Sequence, residues 1–379
     1  MKRQHSLKPR MAGLLLALVL GVLAGCSSSS KKPEPAALPA VSGGLSVSKS
    51  WNARLGELST PLQPAVVGNR LILASSQGVV LELDGETGRE LARHQVKATV
   101  IAGVGSDGKR HAVVTSGNEL VVLEAGREIW RQKLAAQTFT PPLVAGERVF
   151  VQTADRSVLA YDGASGQRLW FLQRSADPLV LRQPGALTAV GDMLLASNGG
   201  RLSAIQPQNG QVRWEVVIGS SRGTNEVERL VDLVAGVQRQ GQTLCVRSFQ
   251  TAVGCLDTAR GLTLWTRPSQ GHQGLDGDEL RVFGADSDSK LQAWRREDGQ
   301  TAWAHEQYRF RGLTAPRVWG PAVVFGDAQG LVHLLGREQG KTLQRVSTDG
   351  TPVAMQPVLV GRTLVTVNQS GLVTGWRLD

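Results

Sequence analysis

A chain of 379 residues with 41% apolar and 20% charged residues can bury a large core, which excludes a disordered or fibrous protein. The formal charge is +10, but Lys2, Arg3, Lys8 and Arg10 stand in an N-terminal stretch without acids, and removing their four charges leaves +6. No Lys/Arg block is long enough to act as a nucleic-acid tract, so nucleic acid is excluded as a partner.

Residues 1–25 have a basic start followed by an apolar run over 11–24, the length of a secretory signal's hydrophobic region and too short for a comfortable membrane span. The run ends in Leu23-Ala24-Gly25-Cys26, which resembles the bacterial lipobox. That motif implies removal of 1–25 and lipidation of Cys26, an anchor that several acyl chains, at about 0.8 kcal/mol per buried CH₂, make effectively permanent. Ser27 follows the cysteine where an Asp would signal retention at the inner membrane, so the motif implies the outer membrane. Residues 26–46, rich in Ser, Pro, Ala and Gly, read as a flexible lipid-anchored tether.

From residue 47 to 379 the chain reads as strand, and it repeats. In 160–170 a strand ends in Asp162, a tight turn closes on Gly166, and Trp170 follows four residues later. The Asp can accept from backbone N–H groups two residues on, and Gly supplies the positive φ that closes such a turn. The glycine recurs at Gly88, Gly126, Gly166, Gly210, Gly261, Gly299 and Gly340, in steps of 38, 40, 44, 51, 38 and 41 residues. Four residues after each stand Ala92, Trp130, Trp170, Trp214, Trp265, Trp303 and Gln344. A period near forty with strand content predicts four-stranded antiparallel propeller blades. Three-strand patterns at 64–84, 142–162, 186–206, 274–295 and 316–336 obey the same grammar.

The last segment, 357–379, supplies three strands and stops. The missing fourth is available at 46–55, which carries Trp51 where an outer strand places its tryptophan. The expected fold is therefore all-β, an eight-bladed β-propeller of quinoprotein-like repeats closed by its N-terminal strand, which leaves no open edge. Trp51, Trp130, Trp170, Trp214, Trp265 and Trp303 are expected to dock between neighbouring blades.

Departures from the repeat are candidates for function. Two adjacent inter-blade connections are long and emerge on one face. The first includes Ala176, Asp177, Pro178, Leu179, Val180, Leu181 and Arg182, which set two leucines and an arginine in a Pro-flanked loop. The second, over 219–233, carries Arg222, Asn225, Glu226, Glu228, Arg229 and Asp232.

Other chemistry is sparse. The histidines His5, His94, His111, His272, His305 and His333 stand at no metal-ligand spacing. The stretch Asp286-Ser287-Asp288-Ser289 is expected to be a hairpin turn, since the glycine and distal glutamate of a calcium loop are missing. Cys245 and Cys255 flank Gln250 five residues each way, so they face each other across a hairpin either as a disulfide or as two small buried thiols. No metal and no cofactor are expected.

With the lipobox, the Trp-docked repeat and the two same-face insertions, the sequence resembles the BamB family, the propeller lipoproteins of the outer-membrane β-barrel assembly (BAM) machinery. The resemblance spans essentially the whole mature chain. It implies a non-enzymatic scaffold on the periplasmic face of the outer membrane, with the BamA POTRA domains, other BAM subunits and unfolded outer-membrane proteins as partners. A Leu-x-Leu-Arg segment in that family contacts BamA and matches Leu179, Leu181 and Arg182. An acidic segment about fifty residues later matches Asp232 but meets Val234 at its second acid, which leaves Glu226 or Glu228 to compensate, with Arg229 beside them among the expected partner-binding residues. The rival is a quinoprotein dehydrogenase, which shares the docking motif; against it, adjacent paired cysteines and a convergent acid and Ca²⁺-ligand set are missing. A third reading, an envelope sugar-binding propeller, would call for clustered aromatics, and the chain has two Tyr and seven Phe.

Overall fold

In the computed structural model, which describes residues 33–60, 62–174, 179–220, 224–225 and 230–379, the repeat becomes eight sheets of four antiparallel strands. Blade 1 spans 65–95, blade 2 spans 100–133, blade 3 spans 143–172 and blade 4 spans 187–217. Blade 5 spans 238–268, blade 6 spans 276–305 and blade 7 spans 317–347. Blade 8 pairs Val358–Val360, Thr363–Val367 and Leu372–Leu378 with the N-terminal strand Val47–Arg54, which takes the outer position. Its register runs from Val47 opposite Leu378 to Arg54 opposite Leu372, with one irregularity between Lys49 and Trp51. Residues 35–379 make one compact unit, an eight-bladed β-propeller without helix among the described residues.

Burial on both faces explains why the middle strands do not alternate between exposed and buried positions. Arg110–Thr115 and Ala252–Asp257 are buried at every position, because both faces of a middle strand meet a neighbouring blade. Outer strands diverge with radius and return to alternation.

The turn chemistry sets the blade contacts. Asp162 accepts from the N–H groups of Ala164 and Ser165 at 3.1 and 2.7 Å, and Gly166 closes the turn at φ +73°. The Trp of the preceding blade then lies flat on that glycine, so a Cβ on Gly166 would come within 2.7 Å of Trp130. Trp51 meets Gly88 across the closure, Trp170 meets Gly210, Trp214 meets Gly261, Trp265 meets Gly299 and Trp303 meets Gly340. The indoles of Trp130, Trp170, Trp265 and Trp303 also donate to carbonyls of Gly163, Pro207, Arg296 and Arg337 at 2.7–2.9 Å. Each buried Trp removes roughly 150–250 Å² from water, about 4–6 kcal/mol as an upper bound.

The two repeats without Trp have different settings. Ala92 leaves open space over Gly126. Gln344 faces blade 8, whose outer turn is interrupted between Asp379 and Val47 and offers no glycine seat; its amide donates instead to the Leu45 carbonyl at 3.1 Å. The stretch read as tether is in fact bonded to blade 7 and to the 306–316 connection before it: the Ser42 N–H and hydroxyl donate to Thr342 O at 2.9 and 2.7 Å, and Ala36 N–H donates to Arg309 O at 2.9 Å.

Candidate functional site

In a four-stranded antiparallel blade the outer-to-inner connections and the hairpins between middle strands emerge on one face. Two long connections, between blades 3 and 4 and between blades 4 and 5, come together there through their described parts 179–186 and 230–237. They are joined by an isolated bridge between Gly185 and Val234 and by Ala235 N–H donating to Pro184 O at 2.9 Å. Gly185 N–H donates to Thr140 Oγ1 at 2.9 Å, tying in the connection before blade 3.

Leu179, Leu181, Arg182 and Asp232 converge in this patch. Leu179 is 39% exposed, Leu181 is half-buried and Arg182 is exposed, its guanidinium 5.7 Å over the Phe139 ring. Asp232 was expected as the acidic face offered to a partner. Within the chain its carboxylate accepts from Leu181 N–H at 3.1 Å and pairs with Arg156 at 3.2 Å, which holds the leucine loop. The reason is local: Leu233 and Val234 are buried and their backbone is bonded to Gly199 and Arg247, which turns the Asp232 side chain back toward blade 3. Val234, at the second acid of the family pattern, is a core residue here.

Arg156, Phe139 and Thr140 belong to the patch and were not legible in the sequence. Arg156 sits at φ +63° on the tip of the blade 3 hairpin, and nothing in its neighbourhood of the chain announces a partner at position 232. Cys26, Arg222, Glu226, Glu228 and Arg229, with Ala176, Asp177 and Pro178, lie outside the described residues.

Elsewhere the polar groups serve the fold. Asp286 and Asp288 sit in the blade 6 hairpin turn, where Asp288 holds Lys290 N–H at 3.1 Å and pairs with Arg309 at 2.7 Å. Cys245 and Cys255 are directly opposite on neighbouring strands, fully buried and joined as a disulfide. Arg247 is fully buried beside Asp286 at 3.5 Å and over Trp294, and desolvation brings its pKa down to about 10. A cavity lined by Gln63, Gln183, His272, Gln273, Arg317 and Gln356 above Leu313 and Met355 has no carboxylate among its described lining residues. That lining does not fit a Ca²⁺-bound quinone, which needs anionic oxygen ligands and a base.

A closed ring of eight four-stranded blades with two long, bridged connections on one face belongs to the class of eight-bladed β-propeller proteins. A family model described as "Outer membrane protein assembly factor BamB" matches residues 76–305. The BamB of Burkholderia pseudomallei is 33% identical over 98% of this chain and 99% of its own length, and that of Bordetella pertussis is 31% identical over 91% of each. The chain belongs to the BamB family. The crystal structure of BamB from Moraxella catarrhalis superposes with a TM-score of 0.79 at 24% identity, covering 88% of this chain and all of that one. Quinohemoprotein alcohol dehydrogenase from Comamonas testosteroni reaches a TM-score of 0.66 at 14% identity over 87% of this chain and 76% of that one, a likeness of fold alone. The protein is a member of a non-enzymatic family.

Proposed function

We propose that this protein is a scaffold subunit of the outer-membrane protein assembly machinery. The rim formed by 173–186 and 218–237 binds the periplasmic POTRA domains of BamA, and Cys26 carries the lipid that holds the ring at the inner leaflet of the outer membrane. The ring acts by raising BamA's effective concentration near incoming β-barrel chains and the other BAM subunits.

The observation that carries this reading is the presentation of Leu179 and Arg182. Both are exposed on a loop that the Asp232–Leu181 hydrogen bond and the Arg156 ion pair hold in place. An exposed leucine beside an arginine on a pre-ordered loop is a small apolar anchor with a charge for orientation, the composition of a binding hot spot.

Truncating both removes about 2–3 kcal/mol of contact, or roughly 30- to 150-fold in Kd. Titration calorimetry of Leu179→Ala/Arg182→Ala against the BamA periplasmic region is expected to show that loss with the melting temperature nearly unchanged, since neither side chain is in the core. Wild-type affinity in the double variant would remove the rim from the interface.

A further inference from the structure

The N-terminal stretch before blade 8 is held by a buried polar network that the proposed scaffold role does not use. Arg311, Asp327 and His333 are 3%, 0% and 0% exposed. Arg311 pairs with Asp327 at 2.8 Å, His333 Nε2 donates to Asp327 Oδ2 at 2.9 Å, and Arg345 Nε donates to His333 Nδ1 at 3.2 Å. Each of the two arginines at the ends of this chain of bonds also turns a donor outward onto backbone, while Arg311 Nη2 additionally reaches the Gln329 side chain. Arg311 Nη1 reaches the Ala36 carbonyl at 3.0 Å and Arg345 Nη2 the Pro39 carbonyl at 2.9 Å.

Further contacts complete the grip. Ala36 N–H donates to Arg309 O, Ser42 donates twice to Thr342 O, and the Gln344 amide donates to Leu45 O. Every one of these reads main chain or a small hydroxyl, as a site for an extended peptide does. The fixed guanidinium forks, pre-ordered by Asp327 and His333, lower the entropy lost on binding.

We propose that blade 7 carries a binding site for the chain's own residues 36–46, and that this site fixes where the anchored end leaves the ring. The segment enters beside Asp379, where Ser46 Oγ and Ser48 Oγ donate to its carboxylate at 2.8 and 2.6 Å. It finishes at Ala36 against the 306–316 connection, which is on the face of the partner-binding rim. The inference rests on the reading of Cys26 as the lipidated residue. Only 27–35 then remain to span from anchor to ring, at most about 30 Å at full extension, against about 70 Å if all of 27–46 were free. Docking thus holds the rim face close to the bilayer, and release lets the ring travel.

The test uses the lipidated full chain in vesicles of phosphatidylethanolamine and phosphatidylglycerol. Ser42→Pro removes the amide donor and the hydroxyl of the segment and alters no residue of the ring. Arg345→Gln removes one fork from the ring side. Amide exchange read by mass spectrometry with residue-level fragmentation is expected to show the Ala36 and Ser42 amides, the two donors of the segment, protected at least tenfold over the free-chain rate, with the Ala36 protection lost in both variants while blade peptides keep theirs. Free-chain exchange of both the Ala36 and Ser42 amides in the wild type overturns the proposal. Energy transfer from a dye at Ala135→Cys, exposed on the rim face, to an acceptor lipid is expected to drop at least twofold in Ser42→Pro; equal transfer overturns the spacing role. Flotation of Cys26→Ser separates the two readings. If that variant floats like wild type, the anchor assignment fails, while the exchange result still decides docking.

Discussion

Gly126 and Gly166 both close an outer hairpin in the left-handed region, at φ +72° in a two-residue turn after Ala125 and at φ +73° in the longer turn begun by Asp162, yet only Gly166 supports an indole. An alanine at either costs about 1 kcal/mol for the left-handed backbone. At Gly166 the new methyl also meets Trp130 at 2.7 Å, and displacing a packed ring adds about 1–3 kcal/mol. Urea unfolding is therefore expected to rank Gly166→Ala as the more destabilising by at least about 1 kcal/mol. Equal losses would mean that the glycine row answers to turn geometry alone. The Asp, the Gly and the Trp were legible residue by residue because each obeys a local rule. The ion pair of Asp232 was not legible, because it depends on Arg156, which only tertiary structure brings within 3.2 Å.

At the scale of elements, blade 5 is stapled by the Cys245–Cys255 disulfide between its two middle strands, whose residues are mostly buried. The bond closes a loop of sequence separation 10, for which the chain-entropy account gives about 2–3 kcal/mol. Both sulfurs are inaccessible in the folded protein, so exchange with an external thiolate must wait for unfolding. Incubation with dithiothreitol under native conditions is expected to leave the intact mass unchanged, with a gain of about 2 Da appearing only after urea is added, as two hydrogens reduce the bond. Cys245→Ala/Cys255→Ala is expected to fold with a lowered urea midpoint. A mass gain in native buffer would show that the blade opens locally. The sequence placed these cysteines across a hairpin and left their oxidation state open, since spacing alone constrains separation but not chemistry. The long connections were legible as counts of extra residues, and their mutual bridge at Gly185 and Val234 was not, because it pairs backbone with no side-chain signature.

Over the whole molecule, ring closure was readable from a glycine period and an unpaired terminal strand, whereas the docked segment 36–46 was not: its carbonyls are held by arginines about 300 residues away, and its composition is that of any linker. The same buried networks give the ring a pH dependence. His333 lies between two arginines and Asp327, and burial, opposed by the Asp327 hydrogen bond, holds its pKa below the ordinary value of 6.5. Its bonds fit the neutral imidazole, with Nε2–H donating to Asp327 and Nδ1 accepting from Arg345. Burial likewise lowers His111, opposed by Glu82, and His272, where Arg247 adds to the effect. All three therefore bind protons more readily unfolded than folded. Stability is full above the unfolded value of about 6.5 and falls as pH drops below it, by up to about 1.4 kcal/mol per pH unit for each group that stays neutral in the fold. The melting temperature is expected to decline between pH 7 and pH 5, in a range where the lowered carboxylates of Asp162 and Asp327 are still ionised and contribute no slope. His333→Gln, which keeps a donor and an acceptor but cannot take up a proton, is expected to shallow that decline. An unchanged slope in this variant would exclude His333 from the acid response and move it to His111 and His272.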